Sequence, residues 1–138
     1  MIGLADVRDW LERLDLAEHY YIGKLDAKKE ESLGVYSRAA TGRSPGIALG
    51  GLSSTKIEVK PVSLLLHWNN NARETELAAW KLYEALLEPE NIHIGDTARV
   101  SYIHLRVPEP VDVGTDAKGV YERVIWMDIY YENTERCE

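Results

Sequence analysis

The run "VYERVIWMDIYYE", residues 120–132, constrains the fold more than any other stretch. It reads as one long strand, rich in β-branched and aromatic residues. Its alternating sets are Val120, Glu122, Val124, Trp126, Asp128, Tyr130 and Tyr121, Arg123, Ile125, Met127, Ile129, Tyr131. Both sets are largely apolar, and a strand apolar on both faces needs cover on both. Only two sizeable helices are predicted elsewhere, so part of that cover is expected from another subunit. Trp126 and Tyr130 are the interface residues this strand offers.

The clearer helix spans Ala72 to Leu87. Asn71 stands where a cap is needed, Glu74 follows as the capping-box partner, and Pro89 lies just past the end. Ala78, Ala79, Leu82, Ala85 and Leu86 form one apolar stripe, while Arg73, Glu74, Lys81 and Glu84 form the polar face. Leu77 falls in the middle of that polar face and Trp80 at its edge. An apolar pair on a charged helix face is a candidate contact patch. A first amphipathic helix is predicted over residues 4–14, from the helical spacing of Val7, Trp10, Leu11 and Leu14.

Between the helices, "HYYIGKL" (19–25) and "SLGVYSR" (32–38) flank the charged "DAKKEE" and read as a hairpin with a solvated turn. "ATGRSPG" (39–46) reads as a loop. "KIEVKPVSLLLHW" (56–68) reads as a strand with a bulge or strand entry expected at Pro61, which cannot donate to a ladder. "NIHIGDTARVSYIHLRV" (91–107) reads as two short strands around Gly95 and Asp96. The order helix, strands, helix, strands indicates an α+β fold: an antiparallel or mixed β-sheet with two main helices packed on it. No internal repeat or linker divides residues 1–138, which read as a single domain with a frayed tail over 133–138.

Chemistry is sparse. The four histidines, His19, His67, His93 and His104, form neither an HExxH nor any other metal motif. His67 and His104 read as satisfied strand histidines; His93 and His104 could face each other across a hairpin, without a third ligand. The glycine-rich "GIALGGLSSTK" (46–56) is followed by a strand rather than a helix and reads as a turn or bulge, not a phosphate loop. The stretch "RVPEPVDVGTDAKGVYERV" (106–124) holds Asp112 and Asp116, but without calcium-loop spacing. Asp-Ala-Lys-Gly (116–119) suits a tight turn. Pro108 and Pro110 stiffen the rest, which reads as a semi-rigid arm directing Glu109, Asp112 and Asp116 towards a neighbouring subunit, a partner or a lumen. The lone Cys137 excludes a disulfide framework. No catalytic constellation, cofactor or metal is indicated.

No apolar run approaches the ~20 residues of a membrane helix, and the N-terminus lacks the pattern of a signal peptide, so the protein is expected to begin its life in a cytoplasm. The formal net charge of −7 disfavours nucleic-acid binding by the surface as a whole. Four tryptophans, eight tyrosines and no phenylalanine point instead to interfaces, which favour aromatics with one polar end.

The stretches "AEHYYIGKLDAKKEESLGVY", "IALGG", "KPVSLLLHWNNNARETELAAWKLYEALL" and "RVPEPVDVGTDAKGVYERVI" resemble a family of minor capsid proteins of tailed phages and prophages of Gram-positive bacteria, related to tail terminator, or tail completion, proteins. The likeness runs from the first helix to the last strand. It implies a structural virion protein, made in the host cytoplasm, that forms a ring, commonly a hexamer, on the head-proximal end of the tail tube. Such a ring ends tube polymerisation and offers the surface that joins the head. The implied partners are other copies of the chain, the tail tube protein and a head-completion or neck protein, with DNA only as passing cargo. A head-side neck connector is the alternative, and a small-ligand binder or enzyme a more distant one.

Overall fold

The computed structural model describes residues 2–38, 57–87, 92–95 and 98–133. The expectations for the 39–56 loop and glycine-rich run, Asp96 and the tail with Cys137 lie outside the described residues.

Helix α1 (Leu4–Arg13) opens the chain, with Asp6 accepting a hydrogen bond from the Gly3 N–H (2.9 Å). Strands β1 (His19–Ile22), β2 (Ser32–Ser37) and β3 (Ile57–His67) follow, then helix α2 (Ala72–Leu87). Strands β4 (His93–Ile94), β5 (Ala98–Leu105), β6 (Val111–Thr115) and β7 (Tyr121–Asn133) complete the chain. Among the described residues these strands form one mixed sheet in the order β1-β2-β3-β7-β5-β4, with β6 also pairing β7. The α+β class expected from the element order is what forms.

The long strand β7 is the spine. It pairs antiparallel with β3 from Ile57↔Glu132 to His67↔Glu122. On its other side it takes β5 along one half (Ala98↔Asn133 to Leu105↔Met127) and β6 along the other (Val111↔Val124 to Thr115↔Tyr121). Its odd-numbered residues Ile125, Met127, Ile129 and Tyr131 enter the core with Val62, Leu64 and Leu66 of β3 and Leu33 and Val35 of β2. Helices α1 and α2 cover this face: Val7, Trp10 and Leu11 pack from α1, and Ala79, Leu82, Tyr83 and Leu86 from α2. Burying a side chain of this size contributes about 1.5–3 kcal/mol of transfer free energy, which fixes the register, since a one-residue slip would turn every core residue outward.

Four expectations are corrected. Strands β1 and β2 are not a hairpin: they run parallel, His19↔Ser32 to Ile22↔Val35. Residues 23–31 carry the chain back to its starting end, where Glu31 O accepts from both Glu18 N (2.9 Å) and His19 N (3.2 Å). Pro61 makes no bulge, because the β2–β3 and β3–β7 registers run through without a shift. In an antiparallel pair a residue's N–H and C=O point to the same neighbour, and Pro61 O accepts from Arg38 N (3.5 Å). The missing donor therefore faces the β2 side, just past the last rung, Ser37↔Val62, where β2 has ended.

Asn71 does cap α2, accepting from Arg73 N and Glu74 N (both 3.1 Å). Glu74 does not close a capping box, however: its carboxylate accepts from Asn69 Nδ2 (2.7 Å), while Asn69 Oδ1 takes the Asn71 N–H (2.9 Å). Lastly, His93 and His104 do not face each other. His93 pairs with Arg99, while His104 pairs with Asp128 and stacks on Tyr102 (6.1 Å). Among the described residues no group of His, Cys, Asp or Glu side chains could hold a metal ion.

Candidate interaction surface

The even-numbered residues of β7 lie on the face away from both helices. Register places them in rows with β3 and β5: Ile57, Glu132 and Arg99; Val59, Tyr130 and Tyr102; Pro61, Asp128 and His104; Ser63 and Trp126. Val111 of β6 continues the face beside Val124. Trp126 is 47 % exposed, Tyr102 56 %, Ile57 50 % and Val59 48 %, and Val111 is exposed as well. Scattered apolar residues on a surface need no explanation, but a contiguous aromatic and aliphatic patch across four strands does. Among the described residues the cover expected on both sides of β7 is complete on one only; on the other it reaches the Glu122 end, where Ala27 and Asp116 lie against His67. Tyr130 is half-buried, tilted against Tyr102 at a centroid distance of 5.7 Å.

One ionic group interrupts the patch. Asp128 is only 7 % exposed, and its carboxylate takes the guanidinium of Arg38 on one oxygen and Arg106 Nη1 (3.4 Å) on the other. Arg38 follows β2 and donates its N–H to Pro61 O (3.5 Å), and Pro61 stands opposite Asp128. The buried Nε of Arg38 has no acceptor among the described residues. Arg99 pairs with Glu132 at the far end of the patch. Three guanidiniums thus serve these two carboxylates, and a third carboxylate, Glu122, lies on the same face of β7 beside His67.

Helix α2 presents the second candidate patch on the opposite side of the molecule. Leu77 is 50 % exposed, as its place in the polar face predicts, and Leu87 is 53 % exposed. Trp80 is half-buried: its ring meets Tyr83 edge-on at 5.4 Å and packs against the core. It is therefore part core and part surface.

The stretch 106–124 is not a projecting arm. Val107 joins the core and its carbonyl accepts from Tyr83 Oη (2.6 Å). Pro110 is buried, and its carbonyl accepts from Arg123 Nη1 (3.3 Å). Residues 111–115 then run along β7 as β6. Asp-Ala-Lys-Gly makes the expected tight turn: Gly119 N donates to Asp116 O (3.1 Å), and Gly119 adopts φ +82, a conformation glycine reaches without strain.

The three acids of this stretch have different fates. Glu109 is exposed. Asp112 is exposed, accepts from Gly114 N (2.9 Å) and lies 3.9 Å from Arg123. Asp116 points inward: Oδ1 accepts from Lys118 N (2.8 Å) and Val120 N (3.0 Å), and Oδ2 lies 3.7 Å from His67 Nε2. The Val120 N–H holds its carboxyl below the ordinary aspartate value, partial loss of water opposes this, and the Lys118 N–H adds to the lowering. His67 is fully buried, with Nδ1 3.0 Å from Glu122 Oε2 and Nε2 3.1 Å from Ala27 O. It ties β3, the 23–31 connection and the 116–119 turn together, the satisfied histidine its setting predicts.

Tyr102, Ile57, Val59, Arg38 and Arg106 were not singled out from the sequence. The signal was the alternation of Ile57 and Val59 with charges, but only the register shows that they join Trp126 and Tyr130 on one face. No described helix is long and apolar enough to cross a membrane. A family model described as "Bacteriophage tail terminator protein" matches residues 2–133. No curated protein matches the chain.

Proposed function

The chain belongs to the bacteriophage tail terminator family, and from that premise we propose that it assembles as a ring of copies on the head-proximal end of the tail tube. The ring ends tube polymerisation and presents the surface to which the head joins. Its role is structural, in the virion, and its partners are other copies of the chain, the tail tube protein and a head-completion protein.

The observation that carries this reading is the open face of β7. A strand this apolar on its second face, with its Trp126 and the neighbouring strands' Tyr102 and Val59 about half exposed, is built to be covered by protein. Membership of the family supports tail components as the source of that cover. The prevailing negative charge suits a lumen that DNA passes without adhering.

Affinity purification of the tagged full-length protein from phage-producing cells tests the partner assignment. Recovery of the tail tube protein is expected. Recovery of portal or head-completion protein without tube protein would place the chain on the head side of the neck instead.

A further inference from the structure

We propose that the pair His67–Glu122 is closed over a proton, and that this proton latches the 23–31 connection onto the sheet.

The count of donors carries the inference. His67 is buried, with Nδ1 3.0 Å from Glu122 Oε2 and Nε2 3.1 Å from Ala27 O. A carbonyl only accepts, so Nε2 carries a hydrogen. A neutral imidazole then has a bare lone pair at Nδ1, facing an ionised carboxylate that also only accepts. Two acceptors at that distance repel, and no water fits between them. The contact closes when the pair holds one proton more than a neutral imidazole and a carboxylate do, as an imidazolium beside Glu122. Asp116 sets a second carboxylate on the other side of the ring, its Oδ2 3.7 Å from Nε2.

Among the described residues, the ionisable groups against the ring are thus Glu122 from β7 and Asp116 from the 116–119 turn, where Lys118 stands two residues on. Strand β2 sets Ser32 opposite His67, with Oγ donating to Lys29 O (2.8 Å). The 23–31 connection gives the ring a carbonyl. Its charged Asp26 is occupied locally, Oδ1 accepting from Lys28 N (3.0 Å).

When the proton leaves, the one remaining ring hydrogen serves one side only. Glu122 is the stronger acceptor, being charged, so the hydrogen moves to Nδ1. Nε2 is left as a lone pair facing Ala27 O and Asp116, and that contact opens. The far end of the connection stays, because Glu31 N donates to Trp68 O (2.9 Å) and Glu31 O accepts from Glu18 N and His19 N. Release is therefore local to Ala27 and its neighbours, at the one end of the open sheet face that this connection covers.

NMR of the full-length protein between about pH 5 and about pH 8, the interval in which histidines change charge, tests this. Both His67 ring nitrogens are expected to carry hydrogen at the acid end. As pH rises one hydrogen is lost, and the amide signals of Ala27 and Lys28 shift with the same midpoint. In Glu122→Gln the side-chain amide donates to a bare Nδ1 and leaves the Nε2 hydrogen for Ala27 O. The latch then closes without the proton, and the shift at Ala27 and Lys28 is expected to vanish. Should that variant not fold, the joint titration of ring and amides in the wild-type protein decides. A His67 ring with a single hydrogen throughout, amides that do not follow the ring, or an equal shift in Glu122→Gln would overturn the proposal.

Discussion

Pro61 of β3 stands directly opposite Asp128 of β7. A residue with no polar side chain beside a nearly buried aspartate leaves the carboxylate to be satisfied from further away, and Arg38 and Arg106 do so from either side. Asp128→Ala strands the guanidinium of Arg38, whose side chain is only 16 % exposed. We expect a loss of about 2–3 kcal/mol, below the range for a fully buried pair because Arg106 is open to water. Urea unfolding of the purified protein measures it. A loss under roughly 0.5 kcal/mol would mean that the cluster contributes no more than an ordinary surface pair.

Neighbouring residues of β7 should separate stability from assembly. Ile125 is 2 % exposed and Trp126 47 %. Ile125→Ala leaves a core cavity and should cost about 2–5 kcal/mol. Trp126→Ala should change fold stability by about 1 kcal/mol or less while abolishing incorporation into tails. Thermal denaturation alongside immunoblots of purified tails reads both. A Trp126→Ala protein that incorporates normally would remove this residue from any interface.

Tyr83 joins α2 to the segment before β6 through its hydrogen bond to Val107 O. Tyr83→Phe keeps the ring but leaves a buried carbonyl without its donor, at a cost of about 1–3 kcal/mol. Hydrogen exchange should show the loss at residues 106–111 before the rest of the sheet. Uniform destabilisation, with no local change at that segment, would contradict the link.

Asp116 gives a prediction with a definite sign. Its carboxyl is held below the ordinary aspartate value in the fold, so it contributes stability that is present above an unfolded value of about 3.9 and lost as pH falls through the lower folded value. Asp116→Asn removes that proton linkage. The wild-type protein should therefore lose more stability than the variant as pH drops from about 5 to about 3. Parallel losses over this interval, followed by chemical denaturation, would show that the turn carboxylate is not linked to folding.

The legible parts of the fold are those with local signals. Asn71 and the 3.6-residue spacing of Ala79, Leu82 and Leu86 mark α2, and the alternation through Ile125, Met127 and Ile129 marks β7. Leu77 could be placed outward from the wheel alone. Pairing was not legible. A parallel β1–β2 and a hairpin share the same two apolar runs, and they differ in where residues 23–31 lead the chain, which Glu31 decides through its bonds to residues 18 and 19. Strand β6 hid behind Pro108 and Pro110, since its partner Arg123 and the bulge after Asp112 belong to tertiary structure. Likewise the interaction face depends on Val59, Tyr130 and Tyr102 meeting across three strands.

The length distribution of tails made in the absence of this protein tests the central claim most directly. Electron microscopy of lysates from a phage deleted for the chain should show tubes of irregular, excessive length without heads, and restored length when the full-length chain is supplied in trans. Tails of normal length beside heads that have lost their DNA would contradict termination.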